Sequence, residues 1–259
     1  MSRFIVPLDL GDSSYDKSLF FLRKYLGQPA VGKTVAAYIG GAKKKILVDA
    51  GLPDMERSLK YHPYFKAAQR APEQEMLGAL AKAGVKPEEI DIVILTHLHW
   101  DHVGTVDKFP NAQFIVSDKE FRFALNPTPC LYASYEALQL GIQPMFLKVI
   151  DRIKTVDMAE KEIVEGVKII PLPGHSPGGI GVVVETDDGP YVLAGDAVPT
   201  YDNLKGDPAN NQPYIMSGVY TDMQEMWKSF ELIDEIVEGD IQKVIPGHEP
   251  LVLKKERYP

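Results

Sequence analysis

Ile92-Val93-Ile94-Leu95-Thr96-His97-Leu98-His99-Trp100-Asp101-His102 is the stretch that decides how this chain is read. Its first four residues are apolar and mostly β-branched, the pattern of a short strand covered on both faces. Three histidines and an aspartate then follow within six residues. Just past the end of a strand the backbone is still extended, so His97 and His99, two apart, project to the same side. Asp101 and His102 are adjacent and do not share that direction. One short loop can therefore feed two neighbouring metal ions, one pair of side chains to each. Imidazole and carboxylate are the expected protein ligands of Zn²⁺ and of similar divalent ions.

Working outward, three more polar residues occur just beyond apolar runs. His175 follows Val167–Leu172 in Pro173-Gly174-His175, Asp196 follows Tyr191–Ala194 in Gly195-Asp196, and His248 follows Val244–Ile245 in Pro246-Gly247-His248. Glycine beside each allows unusual backbone angles and close approach to an ion. Strand-end loops converging on one sheet edge are where such folds carry their sites. The candidate ligands His97, His99, Asp101, His102, His175, Asp196 and His248 include no cysteine and are too many for one closed tetrahedral site. They suit two metals with positions left for water, which is a catalytic arrangement. His62, in an aromatic-rich segment, reads as a structural or surface residue.

Strands are expected at Thr34–Ile39, Ile46–Val48, Ile92–Leu95, Phe114–Val116, Val167–Ile170, Ile180–Glu185, Pro190–Leu193 and Lys243–Ile245. Helical spacing covers Glu73–Ala83, with Met76, Leu77 and Leu80 on one face, and Asp222–Val237, with Met226, Phe230, Ile233 and Ile236; another helix starts at Asp118. Pro53–Pro72 is irregular and carries Tyr61, Tyr64 and Phe65, a candidate substrate-covering segment. Pro127–Lys148 gives no assignment. Strand pairs, single helices and strands again predict an α+β fold in which two mixed sheets pack face to face with helices outside. No repeat, low-complexity tract or flexible linker divides the chain, so residues 1–259 read as one domain.

Composition narrows the function. A formal net charge of −8 disfavours nucleic acid, whose binders cluster Lys and Arg against phosphate. The basic run Lys43-Lys44-Lys45 sits at an expected turn before a strand. No apolar run approaches the ~20 residues of a membrane span, and the N-terminus lacks a secretory cleavage pattern. Cys130 is the single cysteine, so no internal disulfide forms. A cytoplasmic location is the expectation, and a homodimer is compatible with the sequence.

The motif His97-Leu98-His99-Trp100-Asp101-His102, followed in order by His175, Asp196 and His248, resembles the HxHxDH signature of the metallo-β-lactamase superfamily. Ile46-Leu47-Val48-Asp49-Ala50-Gly51 resembles that family's early strand, with Asp49 supporting the site from behind. The resemblance implies an αββα sandwich with metals at one edge. Within the superfamily the chain is most similar to the N-acyl-homoserine lactone lactonases, on its length, its strand-turn opening, Ile46–Pro53 and Pro171–Gly178. The likeness implies that His97, His99 and His175 bind one ion, that Asp101, His102 and His248 bind the other, and that Asp196 bridges them. Those lactonases carry a tyrosine three residues after the bridging aspartate; here that position is Pro199, and Tyr201 is the nearest substitute.

The implied chemistry is opening of a lactone or ester, N-acyl-homoserine lactone among them, by attack of a hydroxide bridging two divalent ions. Zinc is the first choice, and Mn²⁺, Fe²⁺ or Co²⁺ also fit the donors. Asp101 passes the proton to the leaving oxygen and Tyr201 assists at the carbonyl. Phe121, Phe123, Met145, Phe146 and Tyr214 are candidates to line an acyl pocket. A glyoxalase II-type thioester hydrolase shares the ligands but usually adds a C-terminal helical domain. A non-catalytic metal-binding member of the superfamily is the remaining alternative, and it would be expected to have lost ligands.

Overall fold

The computed structural model describes residues 2–63 and 70–259. Two mixed sheets form its centre. The first runs β1 (Phe4–Asp16), β2 (Pro29–Gly40), β3 (Ile46–Val48), β4 (Ile92–Ile94), β5 (Gln113–Ser117), β6 (Ile153–Val156), in sequence order across the sheet. It is antiparallel from β1 to β3 and parallel from β3 to β6. The second has the order β11 (Val244–Pro246), β10 (Gly189–Gly195), β9 (Ile180–Thr186), β8 (Val167–Pro171), β7 (Lys161–Val164). Only its β10–β11 pair is parallel.

Alternation along the strands assigns the layers. Ile46 and Val48, Ile94, and Ile115 pack in one cluster with Val182, Val184, Leu193 and Ile245 of the second sheet. Their neighbours Leu47, Val93, Phe114 and Val116 belong to a cluster on the opposite face. That outer face is covered by α2 (Met76–Lys82) through Met76 and Leu80, and by Ala124 of α3 (Asp118–Leu125). The second sheet is covered by α5 (Met223–Ile236), whose Met226, Phe230 and Ile233 recur at helical spacing and are fully buried. Burial of that order stabilises by roughly 1.5–3 kcal/mol per side chain. The Asp222 carboxylate starts α5 by accepting from the amides of Gln224 and Glu225, satisfying donors that have no partner within the helix. The result is the expected αββα sandwich.

Several local expectations differ. β1 was not anticipated, because Pro7, Asp9 and Asp12-Ser13-Ser14 hide its alternation. It is an edge strand, where Pro is tolerated, and its pairing with β2 shifts register between Asp9 and Asp12. The helix expected at Glu73–Ala83 breaks at an extended Glu75 into a 3-10 turn (Pro72–Gln74) and α2. Leu77, placed on the buried face by spacing, is instead exposed. Pro53–Pro72 contains α1 (Met55–Tyr61), capped by the Asp54 carboxylate, which accepts from the Arg57 amide. Tyr64 and Phe65 lie outside the described residues. Among the described residues no helix is long and apolar enough to cross a membrane.

The ends of β4, β8, β10 and β11 all open toward one edge of the sandwich. Behind that edge the segments 49–53 and 102–105 are sewn together. The Ala50 amide donates to His102 O at 2.7 Å, and the Gly104 amide to Gly51 O at 2.7 Å. The approach is so close that a Cβ on Gly104 would lie 2.0 Å from Pro53 N and 2.1 Å from Leu52 C. Gly104→Ala should therefore cost about 1–3 kcal/mol or more, because backbone cannot move aside as a side chain can. Thermal denaturation should show a fall of several degrees; an unchanged midpoint would mean that the two segments are free to part.

Candidate metal centre

Each candidate ligand comes from the end of a strand. β4 delivers the loop His97–His102, β8 delivers His175, β10 delivers Asp196 and β11 delivers His248. The side chains converge as two donor sets. In one, His97, His99 and His175 offer atoms all within 4.8 Å of one another; in the other, Asp101, His102, Asp196 and His248 do the same. Asp196 stands between them. Its Oδ1 is 3.2 Å from His102 Nε2 and 3.1 Å from His248 Nε2, and its Oδ2 is 3.5 Å from His175 Nε2. Asp101 is more peripheral, with Oδ2 3.9 Å from both His102 Nε2 and His248 Nε2. Gly247 is required beside this carboxylate, since a Cβ there would come within 2.4 Å of Asp196 Oδ1.

Hydrogen bonds behind the site select the tautomers. Asp49 accepts from the Thr96 amide and from Thr96 Oγ1, both at 2.8 Å, and from His102 Nδ1 at 2.8 Å. Thr96 Oγ1 has thereby given up its proton and receives that of His97 Nδ1, 3.0 Å away. His175 Nδ1 donates to Val219 O at 3.1 Å, and His248 Nδ1 to Lys33 O at 2.7 Å. Four imidazoles are thus protonated on Nδ1, which leaves Nε2 as the nitrogen turned toward the cluster. His99 Nδ1 faces His175 Nε2 at 3.0 Å.

The donors fit metal ions on grounds independent of the motif. His97 Nε2, His99 Nε2, His102 Nε2 and Asp196 Oδ1 are buried and have no hydrogen-bond partner. Buried polar atoms are rarely left so, because each unmade bond costs about 1–3 kcal/mol. Burial and the neighbouring histidines hold His97 and His99 well below the usual imidazole range, so both present lone pairs. Burial likewise lowers His175. Burial alone would lower His102 and His248 too, but Asp196 and the nearby carboxylates outweigh it and raise both. Burial would raise Asp196, yet His248 and His102 draw it well below the ordinary carboxylate range. A buried anion among crowded imidazole nitrogens is an arrangement that divalent cations complete.

A cavity opens over the donors. His99, Asp101, His175, Asp196 and His248 form its floor, and Tyr15, Phe20, His62, Trp100 and Val219 contribute walls. Phe20 stacks on His248 with ring centroids 4.9 Å apart. Tyr15, beside Phe20, has its hydroxyl pKa pushed up to about 12 by burial and by Glu249. No lysine or arginine lines this cavity among the described residues.

The structure brings all seven expected ligands together, but not Tyr201. That ring is buried in the core cluster between and behind the sheets, and its hydroxyl donates to Val244 O at 3.0 Å. The reason is local. Residues 201–205 form α4, whose first amide donates to Glu249 Oε2, and this turns the Tyr201 ring inward. Burial, with Tyr258 and Glu249 nearby, raises its pKa above the usual phenol range. The expected acyl-pocket residues need the same correction. Met145 and Phe146 are core, Phe121 packs on Phe146, and Tyr214 packs on Trp227 and Phe230. Phe123 faces a separate surface depression.

Sequence reading missed one support. Glu120, fully buried, accepts from the Leu98 amide and the Tyr135 hydroxyl on Oε1 and from the Gly178 amide on Oε2. It ties the His97–His102 loop to the Pro173–Gly179 loop. Burial raises its pKa, and those three donors partly offset the rise. The spacing Ser117-x-x-Glu120 marks a helix start, but nothing in it reveals a carboxylate turned inward. His62, read as structural or surface, is structural: it is buried against Trp100 and Glu136, and what the sequence did not signal is its place in the cavity wall.

Comparison with known proteins places this geometry. The model of the metallo-beta-lactamase superfamily matches residues 30–248. An N-acyl homoserine lactonase of Bacillus sp is 29% identical over 212 residues, covering 79% of this chain and 76% of that one. A solved N-acyl homoserine lactone hydrolase, with N-hexanoyl-L-homoserine bound at its catalytic metal center, superposes with a TM-score of 0.75 at 22% identity, covering 98% of this chain and 96% of the other. AidC, a dizinc quorum-quenching lactonase, superposes at a TM-score of 0.70 and 17% identity, over 96% of this chain and 88% of its own.

Two variants separate site from scaffold. Asp49→Asn keeps the shape but weakens the acceptor that orients Thr96, His97 and His102. It should reduce metal affinity about 10–100-fold in chelator competition, and retention of full affinity would deny Asp49 that role. Tyr201→Phe should cost about 1 kcal/mol in denaturant unfolding and leave turnover alone; a lowered kcat at unchanged stability would return Tyr201 to the chemistry.

Proposed function

This chain belongs to the metallo-β-lactamase superfamily, and from that premise we propose that it is a two-metal hydrolase, zinc-dependent in the first instance, that opens lactones of the N-acyl-homoserine class. The observation that carries the reading is the pairing of two donor sets sharing one buried carboxylate with a cavity that has no cationic side chain among its described walls. The names of the relatives point the same way. A phosphodiester, or a thioester of an acidic peptide such as glutathione, brings anionic groups that would call for Arg or Lys. A neutral lactone with an apolar acyl chain needs neither.

His97, His99 and His175 would hold one ion and Asp101, His102 and His248 the other, with Asp196 between. Bound there, divalent ions acidify water to a hydroxide available at neutral pH and polarise a carbonyl oxygen. The protein's own part is orientation and proton handling. The Asp49–Thr96 network keeps the Nε2 lone pairs of His97 and His102 aimed inward. Phe20, Trp100 and Tyr15 exclude water from the acyl side, which strengthens electrostatic interactions at the reacting centre. Asp101 reaches the cavity and has the most exposed carboxylate of the ligand set. It takes the proton of the attacking hydroxide and returns it to the ring oxygen as the C–O bond breaks, giving a carboxylate and an alcohol.

Elemental analysis should return two divalent ions per chain, and their removal by chelation should abolish turnover until Zn²⁺, Mn²⁺ or Co²⁺ is restored. On metal-loaded protein, N-acyl-homoserine lactones should be opened in preference to aryl esters, glutathione thioesters and aryl phosphodiesters. A single tightly held ion, or a preference for either of the last two substrates, would overturn the assignment.

A further inference from the structure

His62 ends α1 and forms one wall of the cavity above the donor sets. Among the described residues it is the one imidazole lining that cavity that belongs to neither set. Its ring lies on the Trp100 indole, with centroids 3.8 Å apart and planes 8° from parallel, so one face is covered. Its Nε2 stands 3.1 Å from Glu136 Oε1. Burial would raise the Glu136 pKa, but His62 and Arg57 prevail and hold the carboxyl below its usual range. An ionised carboxylate can only accept, so Nε2 carries the proton. In the neutral ring Nδ1 is then an acceptor, and it makes no hydrogen bond within the described residues.

The surroundings are costly for an accidental contact. Glu136 is 1% exposed and adopts a φ of 46°, unfavourable for a side chain other than glycine. Arg57 Nε lies 3.0 Å from both of its carboxylate oxygens, and Arg57 Nη2 donates to Gln143 O at 2.7 Å. A buried ion pair of this kind gives little net stability over apolar packing. Arg57 alone would tie α1 to the 136–143 segment. What His62 adds is a polar ring with a fixed tautomer, held rigidly against Trp100, in a wall that otherwise offers the small side chains of Ser13, Ser134 and Ser217.

We propose that His62 Nδ1 accepts a hydrogen bond from an N–H of the substrate, so that the site selects lactones bearing an acylated amine over lactones acylated through oxygen. The inference rests on the lactone-opening reading above and adds to it a reason for recognising the amide. Rings, acyl chains and metal chemistry are common to both substrate types; only the N–H differs.

The test compares N-hexanoyl-homoserine lactone with α-hexanoyloxy-γ-butyrolactone, which has the same ring and chain with oxygen in place of the amide N–H. On metal-loaded wild-type protein the KM for the amide should be about fivefold lower, the worth of one neutral hydrogen bond. His62→Phe keeps the flat ring on Trp100 and leaves Glu136 paired with Arg57. It should raise the KM for the amide about fivefold more than the KM for the oxygen analogue, with the metal content retained. Equal KM values in the wild-type protein, or a His62→Phe effect common to both substrates, would overturn the proposal, and the first of these does not depend on the variant folding. Opening of neither lactone would sink the functional reading and this inference with it, whereas opening of both without discrimination sinks the inference alone.

Discussion

The buried carboxylate of Asp196 is the constraint around which the molecule is arranged. A charge with so little access to water survives only where its surroundings repay the lost hydration; His102 and His248 stand 3.2 and 3.1 Å from its Oδ1 and repay part of it, although that oxygen makes no hydrogen bond. Those two imidazoles must in turn be held. His102 is held by Asp49, which also fixes Thr96 and through it His97, and His248 is held by Lys33 O, from β2. Each step outward ends on backbone of a central strand or its immediate continuation. The first sheet and the second are thus joined through the site as well as through the apolar layer between them. Glu120 makes a comparable connection on the other side, between the loops after β4 and β8.

How much of this could be read from sequence follows from how local each signal is. The donors were legible because their pattern is local: apolar run, glycine or extended residue, then His or Asp, four times over. The strands β3, β4, β9 and β10 were legible because burial on both faces leaves uninterrupted apolar runs. β1 was not, because an edge strand with one register shift carries polar residues at both parities. Tyr201 misled because two residues of sequence separation say nothing about a helix that begins at that residue and turns the ring inward. Glu120 and His62 depend on partners 15 to 74 residues away, and no local pattern encodes a partner at that range. The positions fixed by short-range periodicity were found; those fixed by tertiary hydrogen bonds were not.

The cavity shows a division of labour that the sequence does not. Its floor is polar and crowded, its walls mix the rings of Tyr15, Phe20, His62 and Trp100 with small residues such as Ser13, Gly32 and Ala133, and Met145 and Phe146, expected to form an acyl pocket, are spent on the core instead. Phe20 illustrates the economy of the arrangement. It stacks on His248 and packs against Tyr15, so one ring both shields a donor from water and shapes the space a substrate would fill. The low local dielectric that results strengthens interactions with any ion or developing charge on the floor. Among the described residues no cationic side chain enters this wall, where an unpaired Lys or Arg would compete with divalent ions for Asp196.

These features make metal binding and stability of the site a single equilibrium. Without cations, four buried donor atoms lack partners and His99 Nδ1 confronts His175 Nε2. In the unfolded chain each would be satisfied by water. The folded state is therefore penalised locally unless ions are present, and any affinity for them is drawn in part from relief of that penalty. The penalty is affordable because it falls on loops at the ends of strands whose cores are complete without it: Ile94, Leu95, Val192 and Val244 are buried on both sides of the sandwich regardless of what occupies the edge. The sandwich supplies the stability and the edge holds the frustration, and it is that separation which lets one sheet edge carry a reactive cluster that a hydrophobic core alone would never select.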